Sequence, residues 1–143
     1  MTSTAQVRRQ ARERAFRLVY QSDVMAEPVD AAWLQAKEEG GLTADQTELI
    51  DDVIAVLRKR ADEVDDLIRG ASRNWTLDRI AATDRCVLRV AIAELIGRPG
   101  TPARVILDEA IDIARRYGTE ASGSFVNGVL DPVARTLRPG EVG

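Results

Sequence analysis

Apolar residues recur along this chain at intervals of three and four, and nowhere does period-two alternation persist long enough to build a sheet. That periodicity predicts an all-α fold. The first helix is expected over residues 5–25, ahead of Pro28, and a short second one over 29–37, stopped by Gly40-Gly41. Thr43, followed three residues later by Gln46, has the form of a capping box. It opens a long helical stretch carrying Leu49, Ile50, Val53, Ile54, Leu57, Val64, Leu67 and Ile68, with a break marked near residues 59–62. Residues 70–76 read as a connection between two halves. In the second half Thr83 is expected to cap a helix that reaches Ile96 and is ended by Gly97-Arg98-Pro99-Gly100. Thr101-Pro102 then pairs an N-cap with proline at the first helical position, and Gly118 is expected to close that helix at the C′ position. A last helix runs from Thr119 or Ser122 to Leu137. It contains Gly128, read as a point of close helix approach, and Pro132, which costs about 3 kcal/mol inside a helix unless it lies at a kink or boundary.

These elements make about seven helices joined by short connections, a pattern that suits one compact helical domain. The expected organisation is two small bundles, an amino-terminal one over residues 1–72 and a carboxy-terminal one over 73–137. Residues 138–143 are expected to form a disordered tail with nothing to pack. The 143 residues agree with a single domain.

Composition narrows the chemistry sharply. There is no histidine, and Cys86 is the one cysteine. A Ser-His-Asp triad, a Cys-His pair, an HExxH zinc helix, a zinc knuckle and an internal disulfide are all excluded. No metal site, no cofactor and no enzymatic activity are expected. The paired acids at Glu38-Glu39, Asp51-Asp52 and Asp65-Asp66 do not alter this, because sequence neighbours do not share a helix face. Cys86 reads as a core residue, since a nucleophile without a histidine base is poorly equipped. Trp33 and Trp75 read as core residues too. The first residues hold no apolar run, and no stretch of about 18 apolar residues appears anywhere, so a soluble cytoplasmic protein without a membrane span is expected.

Charge is uneven along the chain. Residues 1–20 carry five arginines against one glutamate, whereas residues 21–72 carry five basic and thirteen acidic side chains; the net charge of −3 hides this contrast. Eighteen of the twenty basic residues are arginines, whose flat fork suits phosphate and base contacts. On a helical wheel Val7, Ala11, Ala15, Leu18, Ser22 and Met25 form an apolar stripe facing the core. Beside it Arg8, Arg12, Phe16, Arg9 and Tyr20 share a flank about 120° wide at the helical spacing of 100° per residue. Guanidinium groups interleaved with rings suit single-stranded nucleic acid, the first neutralising phosphates and the second stacking on unpaired bases. The competing reading is a solvated face whose arginines pair with acids of neighbouring segments. The segment 118–124, Gly-Thr-Glu-Ala-Ser-Gly-Ser, brings Ser122 and Ser124 to the start of the last helix. Hydroxyls and open amides there suit a phosphate, with ordinary helix capping as the alternative.

Four stretches carry a wider resemblance: RRQARERAFRLVYQSDV from Arg8, DRCVLRVAIAEL over 84–95, TPARVILDEAIDIARRYG over 101–118 and SGSFVNGVLD over 122–131. Taken in order, they resemble the NusB family of transcription antitermination factors, whereas residues 21–75 match it only loosely. The resemblance implies an all-helical fold of two packed bundles and a non-enzymatic role. It also implies pairing with the ribosomal protein NusE, binding of the single-stranded boxA element in ribosomal RNA transcripts, and read-through by an RNA polymerase antitermination complex. By the same resemblance Arg8, Arg9 and Arg12 match the family's arginine-rich start, Tyr20 its RNA-facing tyrosine and Phe125 a residue at the RNA or partner surface. Asp84, with its neighbour Arg85, falls in the partner-contacting region. Gln10 departs from a run of three basic residues found in many members. Some members form homodimers over the RNA face, and the sequence leaves monomer and homodimer open. The alternative is a helical protein–protein interaction module without sequence-specific RNA binding.

Overall fold

A computed structural model describes residues 3–73 and 75–141. They form seven α-helices: α1 (Thr4–Met25), α2 (Val29–Glu39), α3 (Ala44–Lys59), α4 (Ala61–Ala71), α5 (Ala82–Gly97), α6 (Ala103–Tyr117) and α7 (Ser122–Leu137). A single 3-10 turn at Leu77–Arg79 leads into α5. The all-α expectation is met, and no strand occurs among the described residues.

Local signals explain most helix boundaries. The Ser3 hydroxyl accepts the Gln6 amide at 3.2 Å and opens α1. Thr43 and Gln46 form the complete capping box of α3, which satisfies two amides that a helix start leaves open. Gly40 and Gly41, both at positive φ, end α2 where a Cβ would be strained. The marked break near residues 59–62 is real, because Arg60 leaves helical geometry between α3 and α4.

The centre of the molecule is α5, whose residues 86–88 and 90–95 are all buried. A helix buried nearly all round must be wrapped by others. Here α1, α3, α4, α6 and α7 all pack on it, and their apolar faces join in one continuous core. Against it α1 presents Ala11, Ala15, Leu18 and Val19, an i, i+4, i+7, i+8 stripe. Cys86 lies fully buried in this core, and burial followed by the Asp23 charge pushes its thiol up to about 12. Trp33 is also buried, and its Nε1 donates to Asp51 at 2.6 Å. Trp75 and Met25, expected inside, are instead half exposed. Met25 is the last residue of α1, beyond the reach of the neighbouring helices that cover the rest of the stripe.

Several boundary expectations fail for identifiable reasons. Thr83 lies inside α5, whose N-cap is Ala81. The entry is fixed from elsewhere: Ile80 is buried, and the Arg85 guanidinium donates to the Leu77 and Ile80 carbonyls at 3.0 and 2.8 Å. Pro102 is the N-cap of α6 and not its first residue. Gly118 is extended, with φ −101°, so the left-handed close is absent. Space decides that glycine, since a Cβ there would collide with the Ser122 hydroxyl and lie 2.7 Å from the Ala114 carbonyl oxygen. Gly128 faces open space and mediates no helix approach. Pro132 stays inside α7, on its exposed side one turn from the exposed Gly128. The carbonyl that loses its amide donor there can be hydrated.

The segment after α7, expected to be disordered, is pinned over residues 138–141. Arg138 donates to the Leu95 carbonyl at 3.0 Å, the Arg98 carbonyl at 3.1 Å and the Thr101 carbonyl at 3.0 Å. It thereby satisfies acceptors at the end of α5, while Glu141 takes the first amide of α6, that of Ala103, at 2.6 Å. One short segment caps two helix ends of opposite polarity with the matching charges. Residues 142 and 143 lie outside the described residues.

Candidate nucleic-acid interface

The arginine flank of α1 divides once the neighbouring helices are in place. Arg12, expected on the nucleic-acid surface, is buried: its guanidinium grips Glu94 of α5 in a two-pronged pair at 2.7 and 2.8 Å, with side-chain exposures of 4% and 1%. It sits on the inner edge of α1, so phosphate cannot reach it. Phe16, one turn on, is buried as well and forms a floor beneath more exposed rings. Arg9 remains open, with 46% side-chain exposure, although Glu109 of α6 accepts from its Nε at 3.0 Å and from its Nη2 at 3.1 Å. Those bonds raise the Arg9 pKa further and fix one edge of the guanidinium. Arg8 is half buried and pairs with Asp45 of α3 at 3.2 Å. The solvated-face reading therefore describes part of this flank correctly: its arginines do pair with acids from other segments.

Aromatic rings continue the surface. Tyr20 is 39% exposed, and its ring centroid lies 6.0 Å from that of Phe16. On the other side Tyr117, the last residue of α6, lies 5.1 Å from Phe16 and is 36% exposed. Arg17 reaches over Tyr117 at 5.9 Å and donates to its hydroxyl at 2.9 Å. Glu13 collects the Arg17 guanidinium at 2.9 Å together with Arg116 and the Tyr117 hydroxyl. Sequence reasoning missed Glu13, Arg17, Arg116 and Tyr117 as a set. The signal available was Arg115-Arg116-Tyr117 directly before Gly118, but nothing local shows that this helix end returns to α1.

At the start of α7 the expected residues separate. Ser122 is buried, and its hydroxyl accepts the Thr119 amide at 2.9 Å, so it closes the α6–α7 turn and offers nothing to a ligand. Ser124 is exposed, and Phe125 is partly buried against the core. The end of α6 links this edge to α1. Arg115 lies so close over Gly123 that a Cβ there would come within 2.9 Å of its Nε, while Arg116 and Tyr117 reach Glu13.

Asp84 and Arg85, expected to meet a partner protein, face inward at the start of α5. Asp84 is buried in the first turn, where a carboxylate complements the helix dipole, and its Oδ1 has no hydrogen-bond partner. Besides the two carbonyls already described, Arg85 holds Asp23 of α1 at 2.8 Å, and Arg89 joins Asp23 to Asp65. Burial works against the Asp23 charge, but Arg85 and Arg89 outweigh it and hold the carboxyl below its ordinary range. This network locks α1 and α4 to α5.

No group of His, Cys, Asp and Glu among the described residues could hold a metal ion. No helix among them is long and apolar enough to cross a membrane. Seven helices on one core, with Arg9, Tyr20 and Tyr117 exposed where α1 meets α6, define an all-helical domain. The chain belongs to the NusB family, whose match spans residues 9–135. It is 42% identical over 137 residues to the transcription antitermination protein NusB of Anaeromyxobacter dehalogenans, covering 95% of this chain and 96% of that one. Among solved structures it is similar to T. maritima NusB, with TM-score 0.85, 34% identity and coverage of 99% and 98%. It is also similar to a chain of a crystal structure of antitermination factors NusB and NusE in complex with dsRNA. There the TM-score is 0.79 and the identity 25%, with coverage of 91% and 97%.

Proposed function

We propose that this chain is an RNA-binding transcription antitermination factor that works with a NusE partner on the boxA element of ribosomal RNA transcripts and promotes read-through by RNA polymerase. The observation that carries the reading is family membership over nearly the whole chain, joined to a solved NusB–NusE–RNA assembly of the same fold. Preference for unpaired RNA is supported by the exposed ring of Tyr20 and the partly buried ring of Phe125, since a ring face open to solvent stacks on bases that a duplex keeps covered. Arg9 and Arg8 supply the ionic contacts, and Ser124 an exposed hydroxyl. Arg12, Phe16 and Ser122 act from beneath by holding the surface in shape, and Arg85 serves the partner side by fixing the α1–α5 corner through Asp23, with Asp84 beside it in the first turn of α5.

Titrating boxA RNA, a scrambled RNA of equal length and a duplex, each with and without NusE, tests the proposal. Tightest binding to boxA with NusE present is expected. Substituting Arg8 and Arg9 by glutamine should flatten the salt dependence by up to about 0.7 in slope per lost phosphate contact. Equal competition by the scrambled RNA would sink sequence-specific recognition and favour a protein-binding module alone.

A further inference from the structure

We infer that the groove between α1 and α2 takes an unpaired nucleotide flanking boxA, with Arg14 as its phosphate contact and the amides of Gln21 and Gln35 as its base contacts. The inference rests on the RNA-binding reading above and adds to it a second contact, on the far side of α1 from the aromatic edge. At 100° per residue Arg17, Gln21 and Arg14 fall within about 60° of one another, past the angle that Arg9 and Tyr20 share. There α2 meets α1 along an open groove of about 250 Å³. Leu18, Ala32 and Ala36, all buried, make its floor, and the two arginines, the two glutamines and Glu39 stand around it.

Three observations favour a nucleotide as occupant. First, the cations there are underused. Arg14 makes no side-chain hydrogen bond among the described residues and meets one carboxylate, that of Glu39, at 3.9 Å. The Glu39 side chain is 61% exposed and bonds Gln35 at 3.5 Å, the outer limit of such a contact, so a phosphate can displace it from so loose a pair. Second, the rim is built from amides. The Gln21 side chain has no hydrogen-bond partner among the described residues, and the Gln35 side-chain oxygen is unengaged as well. Each glutamine amide can donate and accept at once, which matches the edge of an unpaired base. The small floor residues leave a flat apolar bed between them, and no exposed aromatic or leucine side chain lines the groove to anchor an apolar partner. Third, the groove continues the candidate interface. Arg17 borders it and also reaches Tyr117 on the other side, where its Nη2 donates to Glu13 and to the Tyr117 hydroxyl. Its Nε and Nη1 make no hydrogen bond among the described residues, so a strand leaving the aromatic edge passes a guanidinium with open donors before it reaches Arg14.

The experiment titrates the full chain with NusE against single-stranded boxA RNA, alone and extended at either end by a few unpaired nucleotides, with binding read by fluorescence anisotropy over a range of salt. One of the extensions is expected to tighten binding about fivefold, the scale of one net hydrogen bond, and to steepen the salt slope by up to about 0.7. Arg14→Gln should remove the added slope. Gln35→Ala should remove most of the gain and keep the slope, and an abasic extension should do the same with the unmodified chain. Both variants should bind unextended boxA as before, with helicity intact. If neither extension tightens binding, or if the added slope survives Arg14→Gln, the site is overturned and the wider reading stands. Loss of NusE capture in Arg14→Gln, with the extension gain retained, would make the groove a protein-docking surface and overturn the site too. Failure of the unmodified chain to bind boxA at all would instead remove the wider reading, and this site with it.

Discussion

The inner and outer edges of α1 carry the same chemistry, an arginine facing a carboxylate, and put it to different uses. On the inner edge Arg12 and Glu94 are shut away from water at 2.7 Å and tie α1 to the central helix. Such a pair gains little over apolar packing, but losing one member strands the other charge in the core. On the outer edge Arg9 meets Glu109 and Arg17 meets Glu13 with the guanidinium groups about half exposed. Wet pairs of that kind contribute about 0–1 kcal/mol and exchange readily. Burial, and not residue type, decides which arginines are structural and which are available to a phosphate.

The largest effect is expected at the inner edge. Arg12→Ala should lower unfolding free energy by about 3–5 kcal/mol, measured by urea titration; a loss below about 1 kcal/mol would show that the pair is not sealed from water. Next comes the pinned carboxy-terminal segment. Arg138→Ala removes bonds to three carbonyls and should cost about 1.5–3 kcal/mol, an effect that a disordered tail would not show. At the outer edge Glu109→Gln should shift stability by less than about 1 kcal/mol. It should nonetheless tighten RNA binding at low salt and steepen the salt slope by up to about 0.7, because Arg9 is freed from an internal competitor. Unchanged RNA binding in that variant would place Arg9 outside the interface.

The smallest effect lies in the network that joins α1 to α4 and α5. Asp23 has its carboxyl held down by Arg85 and Arg89. A depressed carboxyl contributes stability that is present above its unfolded value, about 3.9, and is lost as pH falls through the folded one. Unfolding followed below about pH 4 should therefore show a decline that Asp23→Asn flattens.

The helices and most of their ends were legible in the sequence because their causes are local. The capping box at Thr43 and Gln46, the glycines after α2 and the apolar stripe of α1 each act within a turn or two of chain. The misplaced ends are set by contacts that the boundary residue alone does not reveal. Arg85 sets the start of α5 from within the helix, and Glu141 caps α6 from 38 residues away. Of the candidate surface, Arg8, Arg9 and Tyr20 were readable from the wheel, since an exposed helix edge follows from its angle to the apolar stripe. Arg12 was misread for the same reason: the wheel gives an angle but not the thickness of the helices that cover it.

What the sequence alone determined is the all-helical class, the absence of histidine chemistry and the crowding of arginines and aromatic residues on the first helix. Periodicity and composition suffice for these because each is a property of neighbours along the chain. Tertiary structure decided which of those arginines remain available, and it brought Arg116 and Tyr117 at the end of α6 to Glu13, more than 100 residues earlier. That depends on how α1, α5 and α6 pack around one core, where burial turns one arginine into an anchor and leaves its neighbour facing water.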